Sequence, residues 1–259
     1  MNEGDFMDIV RTDHSLLLDD YKNLILKRDR IKKEAFMIDQ EYLRVFGKLI
    51  EKSYRLHVEC ICLKKKIAYC QKCLNHDKKI IKSELENHIK LIMEVYQKEL
   101  DTFVNEVNNS QKSEKISARD AKEIKRIYHK IAKSIHPDMH PELFKDPEVK
   151  ELWERAMIAY TCNNLEEIKE IEVLVSTFDK KEEKPHFEVE DLKEKIEKLN
   201  KEINKIMSSE PYVYKDLLVS KKNTMMHKET IMNDIEEYES YKMDLEDVLN
   251  SYNVMDMVS

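Results

Sequence analysis

The chain has 259 residues, 37% of them charged and 41% hydrophobic, with a formal net charge of -7 and a pI near 5.8. Such a composition favours long, charge-covered helices over sheets, and the acidic balance disfavours nucleic acid as a partner, so any basic surface has to be local. Gly4 and Gly47 are the only glycines, which leaves almost nothing from which to build hairpin turns or phosphate-cradling loops, and Walker and dinucleotide-binding motifs are absent.

The acidic start, Met1 to Asp8, lacks an apolar core of signal-peptide length, and residues 1–38 read as a polar, partly helical segment. No stretch approaches the roughly 18 apolar residues of a membrane span, so no membrane partner and a cytoplasmic location are expected. From Gln40 to Asn75, Leu43, Phe46, Ile50, Tyr54, Ile61 and Ile67 recur at helical spacing without a proline. Asn75-His76-Asp77 interrupts the pattern, and a second helix follows with Ile80, Leu85, Ile89, Ile92, Tyr96, Leu100, Phe103 and Val104. Residues 39–108 are therefore expected to fold as a helical hairpin.

Asn108 to Lys115 reads as a polar linker, after which Ser117 can cap a helix with Asp120 in its first turn. That helix is expected to run to Ile135, where Pro137 stops it. Within it Ile124, Ile127, Tyr128, Ile131, Ala132 and Ile135 form an apolar stripe, and Lys125, Arg126, His129, Lys130 and Lys133 lie mainly outside it. Between Ala121 and Ile135 four lysines and one arginine oppose a single glutamate, a cationic face on an acidic protein. A loop with Pro137, Pro141 and Pro147 leads to a further helix carrying Val149, Leu152, Trp153, Ala156, Ala159 and Tyr160. Past Asn163-Asn164 a last pattern holds Leu165, Ile168, Ile171 and Val173.

The order of these elements resembles the J-domain family of co-chaperones. Ile124 to Ala132 match the family's second helix, with Ile127, His129 and Ile131 as substitutions. His136-Pro137-Asp138 stands where the family has its His-Pro-Asp loop, and Trp153 followed six positions later by Ala159-Tyr160 fits the third helix. The resemblance covers residues 116–176 and implies a helical hairpin whose core holds Ile124, Ile127, Tyr128, Ile131, Ala132, Trp153, Ala156, Ala159 and Tyr160. It implies no catalytic residue, cofactor or metal. It implies a partner, the ATPase domain of a seventy-kilodalton heat-shock chaperone, contacted by His136, Pro137 and Asp138 and by the basic residues Lys125, Arg126, His129, Lys130 and Lys133. The family's short first helix, with its Tyr-x-x-Leu-Gly-like stretch, has no counterpart before Ser117; the helix ending near Val104 is expected to pack in its place through Tyr96, Leu100 and Phe103. The Cys-x-x-Cys-x-Gly-x-Gly repeats and Gly/Phe-rich segment of larger members are also missing, which points to the class defined by the J-domain only. A coiled-coil scaffold with a degenerate J-like surface is the alternative.

Residues 177–190 read as a charged linker. Leu192, Ile196, Leu199, Ile203 and Ile206 then repeat with a/d spacing, and Ile231, Ile235, Tyr238, Leu245, Val248 and Tyr252 mark a last helix, so residues 191–254 are expected to form a coiled-coil hairpin. The stripe can pair within the chain or with a second copy. The fold class expected is thus all-α, a J-like hairpin flanked by N- and C-terminal helical hairpins.

Cys60, Cys62, Cys70 and Cys73, with His57 and His76 nearby, invite a zinc reading. In a continuous helix, however, Cys60 and Cys73 lie about 20 Å apart at 1.5 Å per residue, against Zn–S bonds of about 2.3 Å. Reduced thiols on a helix are expected instead. His129 and His140 are read as a helix-surface and a loop residue rather than as acid/base partners of His136.

Overall fold

A computed structural model describes residues 3–112, 116–176, 188–252 and 254–255. Among these described residues lie eight α-helices: α1 (Glu3–Asn75), α2 (Lys82–Lys112), α3 (Ala118–Ile135), α4 (Pro147–Thr161), α5 (Leu165–Val175), α6 (Val189–Met207), α7 (Lys215–Val219) and α8 (Lys221–Asn250). The extended backbone among the described residues includes one two-residue parallel bridge, Ile80–Ile81 with Val254–Met255. The protein is all-α. The chain divides into two units: one unites the described residues up to 39 with those from 116 to 213, the other those from 40 to 112 with those from 214 to 255.

This division differs from the domain order read in the sequence. Residues from Glu3 onward belong to α1, whose helix does not end before Asn75. The expected C-terminal hairpin over 191–254 is shared out, with α6 in the first unit and α8 in the second. The linker expected over 177–190 lies outside the described residues up to 187, and α6 begins at Val189. Of the linker expected from Asn108, residues to Lys112 continue α2, and 113–115 lie outside the described residues.

In the first unit, local signals set the helix ends. The Ser117 hydroxyl accepts the Asp120 amide at 3.1 Å and opens α3; its satisfied amide is one of those a helix start leaves without a partner. Pro137 closes it, with His136 at φ -62° and ψ 130° in the extended region that a following proline imposes. Asp146 caps α4 through the Glu148 amide at 2.9 Å, with Pro147 in the first turn. Asn163, at φ 58°, reverses the chain in the left-handed region that asparagine tolerates, and Asn164 caps α5.

The apolar faces of α3, α4 and α5 form one core. Ile124, Ile127, Tyr128, Ile131, Ala132 and Ile135 meet Val149, Leu152, Trp153, Ala156, Ala159 and Tyr160, with Ile168, Ile171 and Val175 from α5. The Tyr128 and Tyr160 rings stack at 3.9 Å, and His136 meets Trp153 edge-on at 4.5 Å, so α3 and α4 run antiparallel. Each fully buried aliphatic side chain here contributes about 1.5–3 kcal/mol. Val173, which the sequence pattern places in the core, is 67% exposed, because the buried spacing on α5 is three then four residues and Val175 takes the position.

The helix that packs on the α3–α4–α5 core is not the expected one. It is α1, not the helix ending near Val104, that packs here. Leu26 lies against the α3–α4–α5 core, and the Lys33 ammonium sits 4.0 Å over the Tyr160 ring. Tyr21 and Ile25 of α1 are buried with Met139, Leu192 and Leu199, so the a/d stripe of α6 is covered within the chain. Tyr96, Leu100 and Phe103 belong to the second unit.

In the second unit, residues from Gln40 to Asn75 of α1 run antiparallel to α2: Cys73 clusters with Leu85 and Ile89, Tyr54 donates to Glu99 at 2.9 Å, and the Gln111 amide donates to the Arg44 carbonyl at 2.9 Å. The helices approach closely at Gly47, where a Cβ would lie 2.9 Å from a Val107 methyl. α8 packs along the same stretch of α1 through Ile231 and Ile235 against Phe46, and Leu245 against Cys60 and Leu63. Cys60, Cys70 and Cys73 are buried in these contacts and Cys62 is half-buried. Burial pushes the Cys60 and Cys70 thiols up, which makes them poor nucleophiles.

Candidate functional site

The His-Pro-Asp loop is shaped by its own backbone. The His136 amide donates to the Ala132 carbonyl at 3.0 Å, and the His136 carbonyl accepts the Met139 and His140 amides at 2.9 and 2.8 Å. The Asp138 amide donates to His136 Nδ1 at 3.0 Å. With Nδ1 accepting, the ring proton sits on Nε2, which donates to Asp29 Oδ2 at 3.2 Å.

Asp29 is the centre of this arrangement. Its Oδ2 also accepts the Tyr128 hydroxyl at 2.7 Å, and its Oδ1 accepts Arg28 Nε and Nη2 at 3.0 and 2.9 Å. Asp29 and His136 are 2% and 1% exposed. Burial opposes ionisation of the Asp29 carboxyl, but the hydrogen bond from His136 and the Arg28 charge outweigh it, so its pKa lies below the usual carboxylate value. Burial and then the Asp29 charge push the Tyr128 hydroxyl far up, which keeps it a donor. Among the described residues no buried side-chain nitrogen or oxygen is left without a partner, as such a network requires if it is to stabilise.

Arg28 extends the network to the loop's last residue. Its Nη1 lies 2.8 Å from Asp138 Oδ2 and 3.7 Å from Glu202 Oε2 of α6, and Lys32 holds Glu202 at 2.7 Å. The Tyr21 hydroxyl donates to the Asp138 carbonyl at 3.2 Å, and burial, then the Asp138 charge, raise its pKa to about 12. Pro137 is half-buried and the Asp138 side chain is 39% exposed, while His136 is buried.

No protein-family model matches this chain. Nor does any curated protein or solved structure.

The basic residues of α3 divide into two rows. Arg126 and Lys130 turn toward α5, where Glu172 lies 3.9 and 3.1 Å away, and Arg126 also pairs with Glu123 at 3.0 Å. Lys125, His129 and Lys133, at i, i+4 and i+8, form the other row. Lys125 and Lys133 are exposed and His129 is half-buried, its pKa lowered by burial and then by those two lysines. His140 Nε2 donates to the Lys133 carbonyl at 2.6 Å, tying the loop back to α3.

The sequence singles out His136, Pro137, Asp138 and the basic face of α3, but not Tyr21, Arg28, Asp29 and Glu202, which the structure places around the loop. One signal was available. Tyr21, Ile25 and Asp29 fall at i, i+4 and i+8, so Asp29 is a carboxylate on an apolar stripe, and such a residue needs a buried partner. Among the described residues no group of three or more histidines, cysteines, aspartates or glutamates is arranged to hold a metal, and no helix is long and apolar enough to cross a membrane.

Proposed function

We propose that the protein is a non-enzymatic co-chaperone of the J-domain type, which binds the ATPase domain of a seventy-kilodalton heat-shock chaperone and raises its ATP turnover. The observation that carries this reading is the α3–loop–α4 unit: two antiparallel helices on one aromatic core, His136-Pro137-Asp138 at their junction, and Lys125 and Lys133 exposed on the adjoining face. An exposed row of lysines suits an acidic partner surface, with charge acting mainly on the association rate. Free thiols at Cys60, Cys62, Cys70, Cys73 and Cys162 suit action in the reducing cytoplasm.

Burial of His136 favours a second reading, in which the J-like unit is a scaffold whose loop serves internal packing. Binding and ATPase assays with the full chain separate the two. The first reading predicts salt-sensitive binding that weakens several-fold when Lys125 and Lys133 become Ala, exposed changes that leave the core intact. Absence of binding at low salt supports the scaffold.

A further inference from the structure

Two of the three positions by which the loop would address a chaperone, His136 and Asp138, and the residue after them are engaged within the chain. His136 is bonded to Asp29, and Asp138 to Arg28 and Tyr21. Met139 is buried among Tyr21, Ile25, Leu192 and Leu199. The buried residues of that second cluster are distinct from those of the α3–α4–α5 core, although α1 touches both, Leu26 lying against that core, so the grip on the loop has contacts of its own. Arg28 is the joint of the grip, bridging Asp29, Asp138 and Glu202. A partner that reads Asp138 or His136 has to displace it.

We propose that α1 and α6 form an intramolecular latch on the His-Pro-Asp loop, dividing the protein between a closed state that the chaperone cannot engage and an open state that it can. The proposal rests on the co-chaperone reading and adds regulation to it. The latch has an electrostatic half at Arg28 and an apolar half at Met139. Apparent affinity for the chaperone scales with the open fraction, so loosening either half raises it with no change to the docking residues.

Arg28→Met and Met139→Ala test the two halves separately in the full chain. Emission of Trp153, the single tryptophan and a member of the α3–α4–α5 core, reports whether that core stays folded. Two readouts are compared with the unaltered protein: hydrogen exchange at the amides of Asp138, Met139 and His140, and the ATPase rate of a purified seventy-kilodalton chaperone across a titration. The latch predicts faster exchange at those amides in both variants, and half-maximal stimulation at about tenfold or more lower concentration. Unchanged exchange in both, or equal stimulation by all three proteins, overturns it. Faster exchange with no chaperone response from any of the three overturns the co-chaperone reading rather than the latch.

Discussion

His136 Nε2 lies 3.2 Å from Asp29 Oδ2, joining the start of the His-Pro-Asp loop to a helix more than a hundred residues earlier in the chain. Both side chains are withdrawn from water, and the Arg28 guanidinium and Tyr128 hydroxyl complete the shell around the carboxylate. Removing one member of a buried charged network leaves the others uncompensated, which costs more than the network itself contributes. Asp29→Ala is therefore expected to destabilise the first unit by about 3–5 kcal/mol. Urea unfolding followed at Trp153 measures this, and a loss below about 0.5 kcal/mol is what an ordinary surface change would give.

The same carboxylate makes stability depend on acid. Its folded pKa lies below the ordinary 3.8, so the unfolded chain binds the proton first as pH falls. The stabilisation is fully present above that ordinary value and is lost as pH drops through the folded one. The gap in unfolding free energy between the unaltered protein and Asp29→Asn is expected to narrow from pH 6 to pH 3. An equal gap at both pH values excludes an ionised Asp29 as its source.

Core position and surface position on neighbouring helices give a contrast. Ile127 is fully buried in α3, and Val173 on α5 is not, although both continue an apolar pattern in the sequence. Ile127→Ala is expected to cost about 2–5 kcal/mol, and Val173→Ala to stay within about 0.5 kcal/mol. Thermal melts of the two variants distinguish them.

Lys33 differs from an ordinary lysine. Burial beside Tyr160 lowers its pKa to about 8, against an ordinary value of 10.5. Trace acetylation over a pH series, read by peptide mass spectrometry, is expected to show its reactivity rising with a midpoint near pH 8. A midpoint near 10.5 contradicts the buried position assigned to it.

Much of the first unit was legible because its signals are local. Ser117, Pro137 and Asn164 set helix ends through groups within a few residues, and the α3 stripe from Ile124 to Ile135 repeats with the period of the helix. What covers the loop was not legible, because Asp29–His136 and Arg28–Asp138 join positions over a hundred residues apart and no periodicity encodes a partner. Leu192, Leu199 and Ile231 show the same limit: an apolar stripe announces that it will be buried, not against what. The stripe of α6 meets Tyr21 and Ile25, and that of α8 meets Phe46, although adjacency in the chain suggested that they would meet each other.

We propose that this loop addresses a heat-shock chaperone. The steady-state ATPase rate of the chaperone, measured with the Arg28→Met protein and with the Arg28→Met, His136→Gln double variant, tests it most directly, Trp153 emission confirming that both are folded. Several-fold stimulation by the first and none by the second is expected. Equal rates with both proteins, whether raised or unchanged, contradict it.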